Sequence, residues 1–372
     1  MKRLTIYTNI PTPYQQDFFN ELSHHYKLKI IYYSKIEKDR YWKLNNDNIP
    51  YETVFLKSSV LAKILQYFYK DFHFSWSIIL VALKDNPDYV IMGGNYLAPN
   101  TIIASVIYKF RQKSIGLWAE RLHPQSNLII KFIKNFTLLI YKYTINFILG
   151  VGQTSLDCYN NKGFHKPNIN LPYSINEQRF VIDLKNQNII ESLIHKYDLK
   201  NSIVVLTSGS LIHRKGIDIA INIINETNIE NIKLIILGDG PLKQEFINLN
   251  NNNIILLGFQ QQNVIPYYFA LSNYFLFTTR YDGWGLVINE AISAGLPVIT
   301  SDSAGASELI INNENGYVFS LDNYGNACNY LRKLINDNDL TNKIREDNKK
   351  LAIKINSKSM SYRLKYFLDN IN

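Results

Sequence analysis

A chain of 372 residues with 46% hydrophobic and 19% charged residues is too long for one ordinary core and too apolar for disorder, so it reads as two globular domains. Two distant cysteines, Cys158 and Cys328, argue against a disulfide framework or a cysteine-held metal cluster and make a reducing cytoplasm the expected compartment. The net charge of +9 is uneven: residues 1–176 carry 21 Lys and Arg against 11 Asp and Glu, so the first half is expected to meet an anionic surface. Three readings of that surface stay open: solubilising charge alone, an anionic membrane or lipid-linked acceptor, and nucleic acid. The last has neither zinc-finger spacing nor an aromatic RNA-binding signature behind it.

The first nine residues hold too short an apolar run for a signal peptide. Apolar runs at 4–8, 28–33, 89–92, 115–118 and 145–149 predict buried strands, and segments near 15–26, 98–110 and 128–143 predict helices between them. That alternation predicts a parallel sheet covered by helices. The loop from Asn9 to Tyr14 is stiffened by Pro11 and Pro13, which leaves Tyr14 or Gln15 to touch an acceptor. Gly93 and Gly94 are better suited to close backbone approach. Residues 35–58 are less regular and are expected to form an extended acceptor loop. At the next strand end Glu120 and His123 are candidates to orient a reacting sugar, set against an Arg121-paired glutamate and a surface histidine.

The apolar stretch 128–150 is interrupted by Lys131, Lys134, Lys142 and Asn146, which excludes a spanning helix. It reads as a helix followed by a strand. The lysines recur at roughly helical spacing, which predicts a basic face beside an apolar one, suited to a bilayer interface. The competing reading packs the apolar face into the core and leaves the lysines in water. Either way the compartment is cytoplasmic, with attachment to the inner face of the membrane under the first reading.

Residues 171–180, with Pro172, begin the step from a first domain, 1–175, to a second, 176–356. The last helix, about 357–372, is expected to pack back on the first. The second domain repeats the alternation: strands at 203–208, 233–237, 254–256, 274–278 and 297–300, helices at 217–225, 242–248, 264–270 and 287–294. Gly295 stands where a helix C-cap glycine belongs. The polar run 250–253 reads as a loop. Two such α/β domains, doubly wound, bind ligands at the carboxyl ends of their strands and would face each other across a cleft.

The sharpest motif runs from Thr279 to Ala291, after a strand and into a helix. Gly283 and Gly285 permit a tight turn, and the amides of Gly285, Leu286 and Val287 would meet a diphosphate. Asp282 before the helix and Glu290 along it can reach opposite ends of an elongated ligand by accepting hydroxyl hydrogen bonds. Taken alone, the same run also reads as a plain strand-loop-helix unit. A second motif, Ser208 to Asp218, ends another strand and supplies Arg214 and Lys215 as fixed cations beside Gly209. Gly238 and Gly258, the latter followed by Phe259, mark two further strand-end turns.

In combination these motifs resemble the retaining glycosyltransferases of family 4, which have the GT-B fold of two Rossmann-like domains. The resemblance covers roughly residues 203–320, with 315–319 as its closing turn and strand. The family's donor signature is an acidic residue, seven residues and a glutamate; here it reads Asp282 to Glu290, with aspartate for the usual first glutamate. The resemblance implies that Glu290 holds the donor ribose and that Asp282 and nearby backbone, with Gly283 and Trp284, hold the transferred sugar. It further implies that Arg214 and Lys215 bind the diphosphate and that the loop after Gly258, with Phe259, faces the nucleobase. Gly209 and Gly238 line the same pocket. Ser210 stands where the family often has arginine, which shifts phosphate charge onto Arg214.

The implied reaction moves a sugar from a nucleoside diphosphate sugar to a hydroxyl of a glycan or lipid-linked acceptor. The implied pathway is bacterial cell-envelope polysaccharide, lipopolysaccharide or glycolipid synthesis, with no cofactor and no essential metal. A sugar-nucleotide epimerase or hydrolase, or a non-catalytic nucleotide-sugar-binding protein, remains the alternative.

Overall fold

A computed structural model describes residues 1–35, 49–57, 74–122, 127–183 and 186–371. The chain divides into two compact units, Met1–Ser174 with Ser357–Asn372, and Ile175–Asn356. Each has its own sheet and its own apolar core.

Among the described residues the first unit holds seven strands: β1 Arg3–Thr8, β2 Lys27–Tyr32, β3 Glu52–Phe55, β4 Tyr89–Met92, β5 Ser114–Ala119, β6 Phe147–Gly150 and β7 Asn168–Asn170. They pair in parallel in the order β3-β2-β1-β4-β5-β6-β7. The central strands are buried along their length because helices cover both faces. Helices Pro13–Ser23 and Pro99–Phe110 each begin on a proline, which lacks the amide that a first helical turn leaves unpaired. The closing helix Ser357–Asn370 packs on Pro13–Ser23, and the Tyr89 hydroxyl donates to the Leu368 carbonyl at 2.7 Å.

Strand order reverses between β1 and β4, and the chain crowds there. A Cβ on Gly93 would lie 2.8 Å from the Tyr7 carbonyl oxygen, and one on Gly94 would lie 2.5 Å from Asn9 Oδ1.

Two expectations for this unit are corrected. The irregular stretch 35–58 contains an edge strand, β3, paired to β2; residues 36–48 and 58 lie outside the described residues. The helix Leu128–Thr144 is turned the other way round. Lys134 is 7% exposed and lies on the inner face with Thr137, Leu138, Tyr141 and Thr144. Its aliphatic stem permits that burial, and burial, then Lys162, pushes its ammonium pKa down. Lys142 holds its ammonium 5.7 Å over the Phe164 ring. The outward side chains are instead Leu128, Ile129, Phe132, Ile133, Phe136, Leu139 and Tyr143. Neither sequence reading, apolar face inward or three lysines on one outer face, describes this helix.

The second unit has six described strands: β8 Ile203–Ser208, β9 Ile232–Leu237, β10 Ile254–Gly258, β11 Tyr274–Phe277, β12 Val298–Ser301 and β13 Gly316–Phe319. Their order is β10-β9-β8-β11-β12-β13, all parallel. The helix Ile217–Glu226 buries five isoleucines and Ala220 against this sheet, which roots the loop before it. Gly295 takes φ +73° and its amide bonds to the Ile292 carbonyl at 2.9 Å, the expected C-cap. From helix Asn338–Ile355 the buried Asn348 amide donates to the carbonyls of Leu296 (2.7 Å) and Asn315 (2.9 Å).

Candidate active site

Strand order in the second unit reverses between β8 and β11. At such a point adjacent crossovers leave in opposite directions and open a crevice at the carboxyl ends of the strands. The loops there, residues 209–216 and 278–286, are the two sharpest motifs of the sequence.

The loops are stitched into one body. Gly216 has φ +66°, and a Cβ there would fall 2.0 Å from the Thr278 carbonyl oxygen. The Thr278 hydroxyl donates to the Gly216 carbonyl (2.6 Å), and the Thr279 hydroxyl (3.1 Å) and Arg280 amide (2.8 Å) donate to the Arg214 carbonyl. The Arg280 guanidinium forks onto Asp218 at 2.8 and 2.6 Å and also reaches the His213 carbonyl. Arg280 therefore clamps the loops, a role that sequence reading did not assign.

On this body Lys215 Nζ is ion-paired with Asp282 Oδ2, with side chains only 17% and 15% exposed. The Lys215 ammonium also lies 5.7 Å over the Phe277 ring. Arg214 is exposed and donates to the Tyr281 carbonyl at 2.6 Å. Beside them the ends of β8, β9 and β10 form a floor of bare backbone. Gly209 N donates to the Leu237 carbonyl and Gly238 N to the Gly258 carbonyl, both at 2.9 Å. A Cβ on Gly238 would lie 1.9 Å from the Gly209 oxygen. Phe259 follows, 39% exposed.

On the other flank Gly285 takes φ +93° against the Phe277 ring, and Gly283 offers its carbonyl so close to Gly305 that a Cβ there would sit 2.3 Å away. The amides of Gly285, Leu286 and Val287 then lead into helix Val287–Ser293. The Trp284 side chain is 2% exposed and its indole N–H donates to the buried Asn289 side chain at 2.9 Å, so it anchors the loop from the core, which leaves its backbone as the part beside Asp282.

Glu290 lies in the first turn of that helix and is partly enclosed. Desolvation pushes its carboxyl up to about 7, opposed by the Arg179 guanidinium. Arg179 comes from the 3-10 turn Glu177–Phe180 and donates to Gln262 Oε1 at 3.2 Å. Burial lowers its own pKa and Glu290 raises it. Sequence reading passed over Arg179 because a lone arginine in a connecting segment carries no motif. The two carboxylates thus have different cations: Lys215 for Asp282 and Arg179 for Glu290.

In the first unit Glu120 is exposed at the end of β5 and accepts a hydrogen bond from the Tyr173 hydroxyl. The Tyr173 ring packs on Tyr14 (centroids 5.3 Å apart) and Trp118 (5.4 Å). Gln15 is buried, with its amide nitrogen on Thr8 at 3.0 Å, which leaves Tyr14 as the outward member of that pair. His123 lies outside the described residues. Among the described residues no group of three His, Cys, Asp or Glu side chains is arranged to hold a metal.

Residues 190–351 match the family model described as glycosyl transferases group 1. An uncharacterised glycosyltransferase of Methanocaldococcus jannaschii is 27% identical over 183 residues, 46% of this chain and 50% of the relative. The N-acetylgalactosamine-N,N'-diacetylbacillosaminyl-diphospho-undecaprenol 4-alpha-N-acetylgalactosaminyltransferase of Campylobacter jejuni is 26% identical over 255 residues, 63% of this chain and 67% of the relative. The chain thus spans about half the length of the first relative and about two thirds of the second. The Anabaena protein HepE, solved in complex with UDP, has a TM-score of 0.79 over 99% of this chain and 100% of that one at 14% identity. That likeness is one of fold, and the fold is GT-B.

Proposed function

We propose, from the chain's resemblance to the group 1 glycosyltransferases, that it is a retaining, family 4 type enzyme. It moves a sugar from a nucleoside diphosphate sugar to a hydroxyl of a glycan or lipid-linked acceptor. The observation that carries the reading is the enclosed Lys215–Asp282 pair at the strand-order reversal, inside the segment that matches the family. A donor diphosphate would take Lys215 from Asp282. The exchange leaves the ammonium on the departing phosphate and the carboxylate on a sugar hydroxyl, so one internal pair becomes two ligand contacts. Arg214 and the amides of Gly285, Leu286 and Val287 would add to the charge stabilisation, which acts most where charge develops. Glu290 would accept from the ribose, and Phe259 would flank the base. The Campylobacter relative's name carries diphospho-undecaprenol, which favours a lipid-linked acceptor in cell-envelope synthesis.

Lysine and arginine supply the positive charge that a metal would otherwise bring, so no metal is required. A thermal-shift screen of the full chain against UDP-, GDP-, ADP- and dTDP-sugars tests the donor site, followed by transfer to polyprenyl-diphosphate-linked sugars with and without EDTA. One donor is expected to raise Tm, and transfer to persist in chelator. Free sugar released without acceptor would favour a hydrolase, and donor binding without turnover would favour a binding protein. Activity lost in EDTA and restored by manganese would overturn the metal-free mechanism.

A further inference from the structure

The helix Leu128–Thr144 is amphipathic in the opposite sense to a helix that merely covers a sheet. At about 100° per residue, its seven outward apolar side chains fill an arc of about 140° on the side away from the core. Phe132 is 72% exposed and Phe136 57%. The helix belongs to a layer. Ser77–Lys84 packs on Pro99–Phe110, which packs on Leu128–Thr144, and the layer also exposes Trp76, Leu80, Leu83 and Phe110. Isolated apolar residues on a surface need no explanation, whereas a layer of them marks a contact surface.

Charge decides what covers it. The three helices expose Lys84, Lys109 and Lys131 and contain not one aspartate or glutamate. A second copy of the chain would set like charge against like. An anionic lipid surface supplies both the opposite charge and an apolar interior. No helix among the described residues is long and apolar enough to cross a membrane, so contact would be made in the interface plane. We propose that this helical layer docks on an anionic bilayer, with Phe132 and Phe136 among the acyl chains and Lys109 and Lys131 at the headgroups. The attachment is driven by the outward phenylalanines and steered by the lysines, in place of the basic helix face that the sequence suggested.

The proposal concerns the first unit and does not rest on the transferase reading. The full chain is sedimented with vesicles of phosphatidylcholine alone or mixed with phosphatidylglycerol. It is expected to bind the mixed vesicles at low salt, to lose on the order of tenfold in partitioning at high salt, and to keep a residue of salt-resistant binding. Phe132→Ser with Phe136→Ser touches no core side chain, so Tm should hold while partitioning drops on the order of tenfold or more. Lys109→Glu with Lys131→Glu should weaken binding to the mixed vesicles and leave any binding to phosphatidylcholine unchanged. Thermal shift by a nucleotide sugar should be the same in all variants, so a failed donor site and a failed docking face are told apart. Equal, negligible binding to both vesicle types at low salt would overturn the proposal. So would unchanged partitioning in the double serine variant, or a dimer that this variant dissociates.

Discussion

Among the donor-site carboxylates proposed here, Glu290 is the one whose chemistry departs from its ordinary behaviour, because its carboxyl is desolvated beside one cation. The sign of the consequence follows from linkage. The unfolded chain ionises this group near 4.5 and the folded chain near 7. The folded state therefore holds the proton more tightly, and the stability tied to it is complete below about pH 4.5 and declines until about pH 7. Donor affinity should run the other way, since a ribose-binding carboxylate must be ionised. Calorimetric titration of the donor from pH 6 to 8 is expected to tighten with a midpoint near 7. Glu290→Gln should remove that pH dependence and weaken binding at pH 8 by about 1.5–3 kcal/mol, the range for a charged hydrogen bond. Arg179→Met should move the midpoint upward; an unmoved midpoint would separate Arg179 from Glu290. The sequence made Asp282, Glu290, Arg214 and Lys215 legible through spacing after strand ends. It could not reveal Arg179 or Arg280, whose roles depend on which distant carboxylate each one meets.

Strands and helices were legible wherever an apolar run was long enough to be buried on both sides. β4 and β8 coincide with their expected ranges, and the other nine anticipated strands are recovered, with ends shifted by up to two residues. β3 and β7 were not anticipated. Glu52–Phe55 is partly exposed at an edge, and Asn168–Asn170 is two asparagines around one isoleucine, so both are strands by pairing with a neighbour. Helix direction was illegible for a different reason: a lysine's long stem lets it face either side, and sequence periodicity fixes a face without saying which way it points. The turns between elements carry their own test. Gly216→Ala combines a left-handed φ with a Cβ 2.0 Å from a backbone oxygen, so it should cost about 1–3 kcal/mol of stability. Gly209 also has a positive φ, +157°, which a side chain disfavours, but a Cβ there would meet nothing closer than the Lys215 side chain at 3.6 Å. Gly209→Ala should therefore cost clearly less in urea melts. Equal costs would mean that the stitching of the two loops is not what holds the site.

The two units differ in how the chain makes them. Ile175–Asn356 is one continuous segment with its own sheet and core, and it contains every donor-site residue proposed above. Met1–Ser174 is completed by the last helix of the chain. Met360, Leu364 and Leu368 on that helix are buried, and Tyr89 bonds to its backbone. Truncation after Asn356 therefore removes three buried apolar side chains from the first unit and none from the second. At about 1.5–3 kcal/mol for each side chain buried, the loss approaches the whole stability of an ordinary domain. The truncated chain is expected to melt in two steps, the first-unit transition moved well down and the second-unit transition unmoved. The donor should still shift the upper transition, because a ligand stabilises only the unit that binds it. The isolated 175–356 segment should bind the same nucleotide sugar with an affinity within a few fold of the full chain. A segment that folds but no longer binds would show that the donor site needs residues of the first unit, and the assignment of the donor to the second unit alone would fall.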